Sequence, residues 1–349
     1  MLDSLRVNEY FFFDCPKLAR GFFLKKAGPS LSKLIRQIDQ TIYAFIRKKE
    51  PASLYQPSRY LFDGGGKRLR AILLLLSSTL TGGDYRKALP AAAAVEILHN
   101  FSLIHDDIMD NDDLRRGRET IHKKWNAHIA ILTGDFLAAA AFKALSQCPE
   151  KSLPEISGIF ADSFVGLCEG QALDKEFETR DSVTERDYLK MITQKTAVLF
   201  SGAMEIGAKI GRAKPSQQRA LREFGRHFGL AFQIQDDLLD IVAEEETLGK
   251  NIGSDLIEGK KTYVSILTAQ LPDGKNWLAK FNSKNDADTH ARILKQFIEF
   301  LRANGVYKET TRLIQSHIRI ALKQLDIFKN HPAKTQLVEI AQFARIRKF

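Results

Sequence analysis

Apolar residues recur in this chain with a period close to 3.6 and almost never with a period of 2, a rhythm that packed helices satisfy and strands do not. Leu31, Leu34, Ile35, Ile38, Ile42 and Phe45 trace one such stripe, which begins just after Pro29-Ser30 and stops before Pro51. The same spacing returns from Leu89 to Ile104, from Ala127 to Leu145, from Leu221 to Ile241 and from Leu313 to Phe328. Valine occurs only nine times in 349 residues. The clusters Gly64-Gly65-Gly66, Gly82-Gly83 and Pro272-Asp273-Gly274 separate helical segments rather than framing short strands. The fold class read from this pattern is all-α.

No change of composition marks a linker, so residues 31–349 read as a single domain. Residues 1–30 read as an N-terminal extension; they mix Asp3, Glu9 and Asp14 with aromatics and lack the apolar run of a signal peptide. No stretch of about 18 uncharged apolar residues is present, because the run from His128 to Phe142 is interrupted by Asp135, and no transmembrane segment is expected. The three cysteines, Cys15, Cys148 and Cys168, are widely spaced and form no CxxC pair, which argues against a disulfide framework or zinc knuckle and for a reducing, cytoplasmic setting. Lys and Arg exceed Asp and Glu by 52 − 42 = 10. That surplus favours an anionic partner, whether nucleic acid, acidic lipid or a phosphorylated small molecule, and charge alone does not choose among them, although the sequence holds no recognised nucleic-acid module.

One short pattern occurs twice, as Asp106-Asp107-Ile108-Met109-Asp110 and as Asp236-Asp237-Leu238-Leu239-Asp240. On a helix, positions i and i+4 share a face, so each copy sets two carboxylates about one turn apart. Like charges at that spacing repel, and a hard divalent cation relieves the repulsion. Carboxylate oxygens suit Mg2+, which commonly joins a few carboxylates to substrate phosphates. An EF-hand calcium loop is excluded, since neither copy has Gly at the sixth position or Glu at the twelfth.

Cations lie close to both clusters. The run Gly64-Gly65-Gly66-Lys67-Arg68-Leu69-Arg70 joins a glycine turn, whose bare amides can approach an anion, to three positive side chains at a helix start. It is not a Walker A loop. Arg115, Arg116 and Arg118 follow the first cluster, and Lys250 and Lys260 follow the second.

With these residues in view the chain resembles the trans-isoprenyl diphosphate synthases, head-to-tail prenyltransferases. The resemblance covers about residues 61–263. It is carried by GGGKRLR (64–70), HNFSLIHDDIMDNDDLRRG (99–117), TGDFL (133–137), QKTA (194–197), FQIQDDLLD (232–240) and GKNIGSDLIEGKKTY (249–263). The chain departs from the family pattern at Ala71, where Pro is usual.

The resemblance implies a fold, a cofactor and a role for each site residue. The implied fold is an isoprenoid synthase type bundle of about ten or more helices around a central cavity, and the implied cofactor is Mg2+, about three ions per active site. By the same resemblance Asp106, Asp110 and Asp236 bind metal directly, supported by Asp107, Asp237 and Asp240. Arg115, Lys195, Lys250 and Lys260 hold the allylic diphosphate; Lys67, Arg70, His99 and Arg116 hold isopentenyl diphosphate. Thr196, Gln233 and the Lys195 carbonyl face the carbocation. Arg68 takes no role and reads as a surface charge, and His105 reads as structural. Phe101 lies five residues before Asp106, about 7.5 Å along the helix axis at 1.5 Å per residue. In the family an aromatic there goes with short farnesyl (C15) or geranylgeranyl (C20) products, while Ser102 beside it does not decide which. A homodimer is the family habit. A class I terpene cyclase would have no use for a second cation pocket at Lys67, Arg70 and Arg116. A non-catalytic partner subunit would usually have lost the aspartates, and both clusters are complete here.

Overall fold

A computed structural model describes residues 16–242, 253–281 and 287–346. Along them run α1 (Pro16–Ile46), α2 (Ala52–Asp63), α3 (Leu69–Leu80), α4 (Leu89–Met109), α5 (Ile121–Lys124), α6 (Ala127–Leu145), α7 (Leu153–Glu178) and α8 (Glu185–Ile192). There follow α9 (Val198–Ile210), α10 (Pro215–Val242), α11 (Ser254–Ile257), α12 (Tyr263–Ala269), α13 (Gly274–Leu278), α14 (Ala287–Ala303), α15 (Val306–Lys323) and α16 (Pro332–Ile346). The all-α expectation holds. Among the described residues the only sheet is a hairpin of two-residue strands, β1 (Leu114–Arg115) and β2 (Arg118–Glu119), with Leu114 opposite Glu119.

The helices form because their apolar positions can all be buried against one another. Helix α3 is apolar all round, as a central helix must be, and every residue from Ala71 to Ser78 is buried. It packs between α4 and α9; α4 packs on α6, and α10 lies against α9 and α15. Small side chains permit the close approach: Ala91 to Ala94 are buried in α4, and a Cβ on Gly207 of α9 would strike the Leu74 carbonyl of α3. Burying each Leu or Ile of this core stabilises the fold by about 1.5–3 kcal/mol.

One sequence expectation is corrected. The stripe that begins at Leu31 belongs to a helix starting at Pro16 rather than after Ser30. A proline within a helix removes one backbone donor without forbidding continuation, so Pro29-Ser30 is weaker punctuation than it reads. Among the described residues α6 alone is long and apolar enough, by length and composition, to cross a membrane: 19 residues with a mean hydropathy of 1.4, 44% of that window being buried inside the bundle. A core helix passes the same test, and Ala130, Leu137, Ala141 and Ala144 of α6 are core. Its Ile131, Leu132 and Phe142 are exposed, as is Val165 on the next helix.

Helix α10 is tied to α15 by two imidazoles. His227 Nδ1 and His317 Nδ1 are 2.8 Å apart, and Arg226 lies 2.9 Å from His227 Nε2. An arginine only donates, so His227 accepts at Nε2 and donates from Nδ1. Burial, Arg226 and His317 together hold the His227 imidazole down at about 4, which keeps it neutral. The contact is therefore at full strength above the ordinary histidine value of about 6.5, and is lost as pH falls from there through 4. The melting temperature of a His227→Asn variant should accordingly fall less steeply than the parent's between pH 6.5 and pH 4; parallel curves would refute the linkage.

Candidate active site

Both aspartate clusters stand at the C-terminal ends of their helices, Asp106 and Asp110 on α4 and Asp236, Asp237 and Asp240 on α10. Helix C-termini already carry partial negative charge from unpaired carbonyls, so carboxylates there call for cations. The structure supplies ammonium groups. Lys260 Nζ lies 3.1 Å from Asp110 Oδ2, 3.4 Å from Asp255 and 2.7 Å from Glu258. Lys175 Nζ, near the end of α7, lies 2.6 Å from Asp110 Oδ1 and 2.8 Å from Glu178. Burial would raise the Asp110 carboxyl, but Lys260 and Lys175 outweigh it and hold it at about 2. Lys260 in turn is held well above the ordinary lysine range by Asp255, Asp110 and Glu258, against the effect of burial.

The two clusters are linked through the segment that follows α10. Lys260, from the segment after the second cluster, reaches Asp110 of the first, and Asp240 accepts hydrogen bonds from Ser254 Oγ at 3.0 Å and the Asp255 amide at 3.1 Å. Asp106 is pushed up by burial, with Asp110 and Asp174 adding to the effect and Lys195 and Arg115 opposing it. Asp107 is engaged by Arg115, whose other nitrogen lies 3.3 Å from Asp112. The Asp237 carboxylate accepts from Tyr188 Oη at 2.7 Å and from Gln233 Nε2 at 2.8 Å. Burial and the nearby charge of Asp255 still raise it to about 7.

Lys195 and Thr196 sit on a single π-type turn, Thr193–Ala197, which joins α8 to α9. Such turns reorient side chains within a helix and are frequent at functional sites. Lys195 Nζ meets Asp174 Oδ2 at 2.5 Å, and Thr196 Oγ1 donates to Gln233 Oε1 at 2.6 Å. A relay thus runs from Thr196 through Gln233 to Asp237, fixing the amide of Gln233. Gly170 of α7 makes room for the turn: a Cβ there would run into the backbone nitrogen of Lys195.

A basic cluster lies near the α10 carboxylates. Arg70 is stacked over the Phe200 ring at 4.2 Å. Burial lowers its guanidinium to about 10, with Glu96 and Asp236 opposing, which places Arg70 within reach of the α10 cluster. Arg116 donates to the Gly65 carbonyl and is likewise lowered to about 10 by burial and Arg68. Burial, then Arg70 and Arg116, hold His99 far below the usual histidine range, so it is a neutral donor and acceptor here. Lys67 precedes these residues in the loop from α2 to α3. Arg68 departs from its reading as a surface charge: it is 2% exposed and paired with Asp39 of α1 at 2.7 Å. A charge held by the half-buried Asp39 carboxylate and facing the buried Glu96 is drawn inward, which sequence order alone does not show.

Phe101 is buried in α4, one turn before His105, with ring centroids 4.6 Å apart, and it meets Phe164 of α7 edge-on at 5.2 Å. Ser102 Oγ donates to the His99 carbonyl at 2.9 Å. His105 packs against Gly134, where a Cβ would collide with its imidazole. Lys250 lies outside the described residues.

Sequence reasoning missed Asp174, Lys175, Glu96 and Tyr188. Gln171 and Asp174 stand three residues apart beside Gly170 on α7, and both are buried; that polar pair on a helix face was the available signal. Tyr188 had none. Among the described residues no three Asp, Glu, His or Cys side chains are grouped closely enough to hold an ion unaided. The donor set of carboxylate oxygens nevertheless fits Mg2+, which takes one or two carboxylates and completes its sphere with water and phosphate oxygens.

Residues 51–301 match the family model described as polyprenyl synthetase. The chain is 46% identical over 325 residues to a geranylgeranyl diphosphate synthase of Saccharolobus solfataricus, covering 91% of this chain and 97% of that one. It is 40% identical to one of Methanosarcina mazei, over 89% and 95% of the two chains. Its backbone superposes on the crystal structure of geranylgeranyl pyrophosphate synthetase from Pyrococcus horikoshii Ot3 with a TM-score of 0.87 and 34% identity, covering 93% and 99%.

The packing around the π-type turn makes its own prediction. Gly170→Ala should push the turn away from α7 and lower stability by about 1–3 kcal/mol, the usual cost of overpacking. A denaturant midpoint equal to the parent's would show that the turn does not depend on that contact.

Proposed function

The chain belongs to the polyprenyl synthetase family, and on that premise we propose that it is a head-to-tail prenyltransferase, joining isopentenyl diphosphate to an allylic diphosphate and ending at a short product of C15 to C20. The observation that carries this reading is Lys260, which reaches from the segment behind one aspartate cluster to Asp110 of the other and so links the two clusters. A basic cluster at Arg70, His99 and Arg116 is within electrostatic reach of Asp236, in keeping with a second diphosphate substrate.

In this reading Asp106, Asp110 and Asp236 would hold Mg2+, while Asp107, Asp237 and Asp240 are occupied with Arg115, with Tyr188 and Gln233, and with Ser254 and the Asp255 amide. Bound Mg2+ supplies neutralisation of the negative charge that grows on the departing diphosphate. The chain supplies the rest. Lys195, Lys260, Arg115 and Lys250 orient the allylic diphosphate, and preorganised cations of this kind each lower the barrier by a few kcal/mol. As the C–O bond breaks, the oxygens of Thr196, Gln233 and the Lys195 carbonyl face the allylic cation, their directions set by the relay to Asp237. Lys67, Arg70, His99 and Arg116 hold isopentenyl diphosphate so that its double bond attacks, and the released diphosphate takes the proton. Phe101, braced by Phe164, closes the tail cavity.

A second copy of the chain is proposed to cover the exposed apolar face formed by Ile131, Leu132 and Phe142 of α6 and Val165 of α7. Exposed large apolar side chains gathered on neighbouring helices are the raw material of association surfaces.

The reading is tested by mass analysis of products formed from isopentenyl diphosphate and each allylic starter with Mg2+. The parent should give a C15 to C20 diphosphate and Phe101→Ala a longer one. Asp106→Asn and Asp236→Asn should each lose at least about 100-fold in turnover, the scale for removing a group that stabilises transition-state charge. Parental rates in both aspartate variants would sink the assignment. For the oligomer, Leu132→Lys should sediment as a monomer where the parent sediments as a dimer.

A further inference from the structure

Arg68 is the largest fully buried side chain in the described structure, although it lies in a loop between two helices. Its backbone is in the left-handed region, φ 51°, which a non-glycine residue adopts only when its surroundings insist. Those surroundings are specific. Nε donates to Asp39 Oδ1 of α1 at 2.7 Å, and the two terminal nitrogens reach the Gly65 carbonyl at 3.3 Å and the Phe62 carbonyl at 3.5 Å. The guanidinium lies 5.4 Å from the centre of the Phe62 ring and 3.9 Å from Glu96 of α4. The loop it supports is squeezed from the other side by Arg116, which donates to the same Gly65 carbonyl. A Cβ on Gly66 would sit 2.8 Å from a nitrogen of Arg68 and 3.3 Å from one of Arg116. Helix α1 holds the loop at a second point, where Tyr43 donates to Asp63.

We propose that the Asp39–Arg68 pair is a positioning device for the second substrate: by fixing the turn at Gly65, Gly66 and Arg68, it aims Lys67 and Arg70, the neighbours of Arg68 in sequence, at the diphosphate of isopentenyl diphosphate. The inference rests on assigning Lys67, Arg70, His99 and Arg116 to that substrate. Its physical basis is that a buried guanidinium is stable only with its partners in place. Loss of Asp39 would leave the charge to seek water and carry the loop with it. Displacements of about 1 Å in a positioning group are enough to cost up to about 100-fold in a reaction. Lys195 and Lys260 of the allylic side stand on other elements and make no contact with the Asp39–Arg68 pair, although Arg70 feels the charge of Asp236. The effect should therefore fall mainly on one substrate. Glu96 strengthens the case: the carboxylate that faces Arg68 also acts on Arg70 and Arg116, so one buried acid balances three arginines and ties the turn to the pocket.

Asp39→Asn keeps the shape of the partner and removes its charge; Arg68→Lys keeps the charge and removes the fork. In steady-state kinetics both should raise KM for isopentenyl diphosphate by about tenfold or more, with KM for the allylic diphosphate within about twofold of the parent and kcat within about threefold. An unmoved isopentenyl diphosphate KM in both variants overturns the proposal, and so does an equal rise in both KM values, which would mark general loosening. Should Arg68→Lys fail to fold, Asp39→Asn decides alone, since the Asp39 side chain is 22% exposed. Lys67→Gln separates the two layers of the argument. If it leaves the isopentenyl diphosphate KM at the parental value, the pocket assignment fails and takes the pair's role with it; if it raises that KM while Asp39→Asn does not, only the positioning role fails.

Discussion

Negative charge collected where helices end is the condition to which the rest of this molecule answers. Carboxylates at the close of α4 and α10 add to helix dipoles already negative at those ends, and several are buried. Such an arrangement is tolerable only if positive charge comes to it. Lys175 from α7, Lys195 from the π-type turn and Lys260 from beyond α10 do so, each from a different element. A protein whose purpose was stability alone would gain by replacing such a cluster with apolar residues. Keeping it makes sense where a diphosphate and its metal ions must be received and charge must change during the reaction.

The helical frame is built to hold those charges at fixed separations. Helices α3, α4 and α9 approach closely because alanine and glycine line their contacts. The one departure from regular helix on this path, Thr193–Ala197, lies where Lys195 and Thr196 must both face inward. Gly170 leaves space for it, so the irregularity is accommodated by the neighbouring helix rather than by loosening of the bundle. The relay from Thr196 through Gln233 to Asp237 then links this turn to the second aspartate cluster. Its effect is to fix the direction of oxygen dipoles that would otherwise rotate.

In the proposed reading the two diphosphate sites are organised differently. On the allylic side lysines meet carboxylates, an arrangement that can exchange protein cations for metal and phosphate. On the other side arginines are buried among backbone carbonyls, an aromatic ring and the acids Glu96 and Asp39, an arrangement that holds its shape. Arg70 joins the two, since its charge is felt by Asp236. In that reading the frame fixes the proximity of the two substrates.

Much of this was legible in the sequence because it is local. Helical period identified the elements, with α6 spanning Ala127–Leu145 as its stripe indicated, and i to i+4 spacing put paired carboxylates on one face. Resemblance of six ordered motifs supplied the reaction. Helix α1 began earlier than read, because a single proline interrupts one hydrogen bond and not a whole element. The residues that close the charge balance, Asp174, Lys175, Glu96 and Asp39, were not legible, and Arg68 was read as exposed. The reason is physical: a charge is buried or solvated according to what lies opposite it in space, and Asp39 meets Arg68 across 29 residues while Lys260 meets Asp110 across 150. Periodicity determined which faces are apolar; only the packed structure decided which charged side chains meet, because those pairings join residues far apart in the chain.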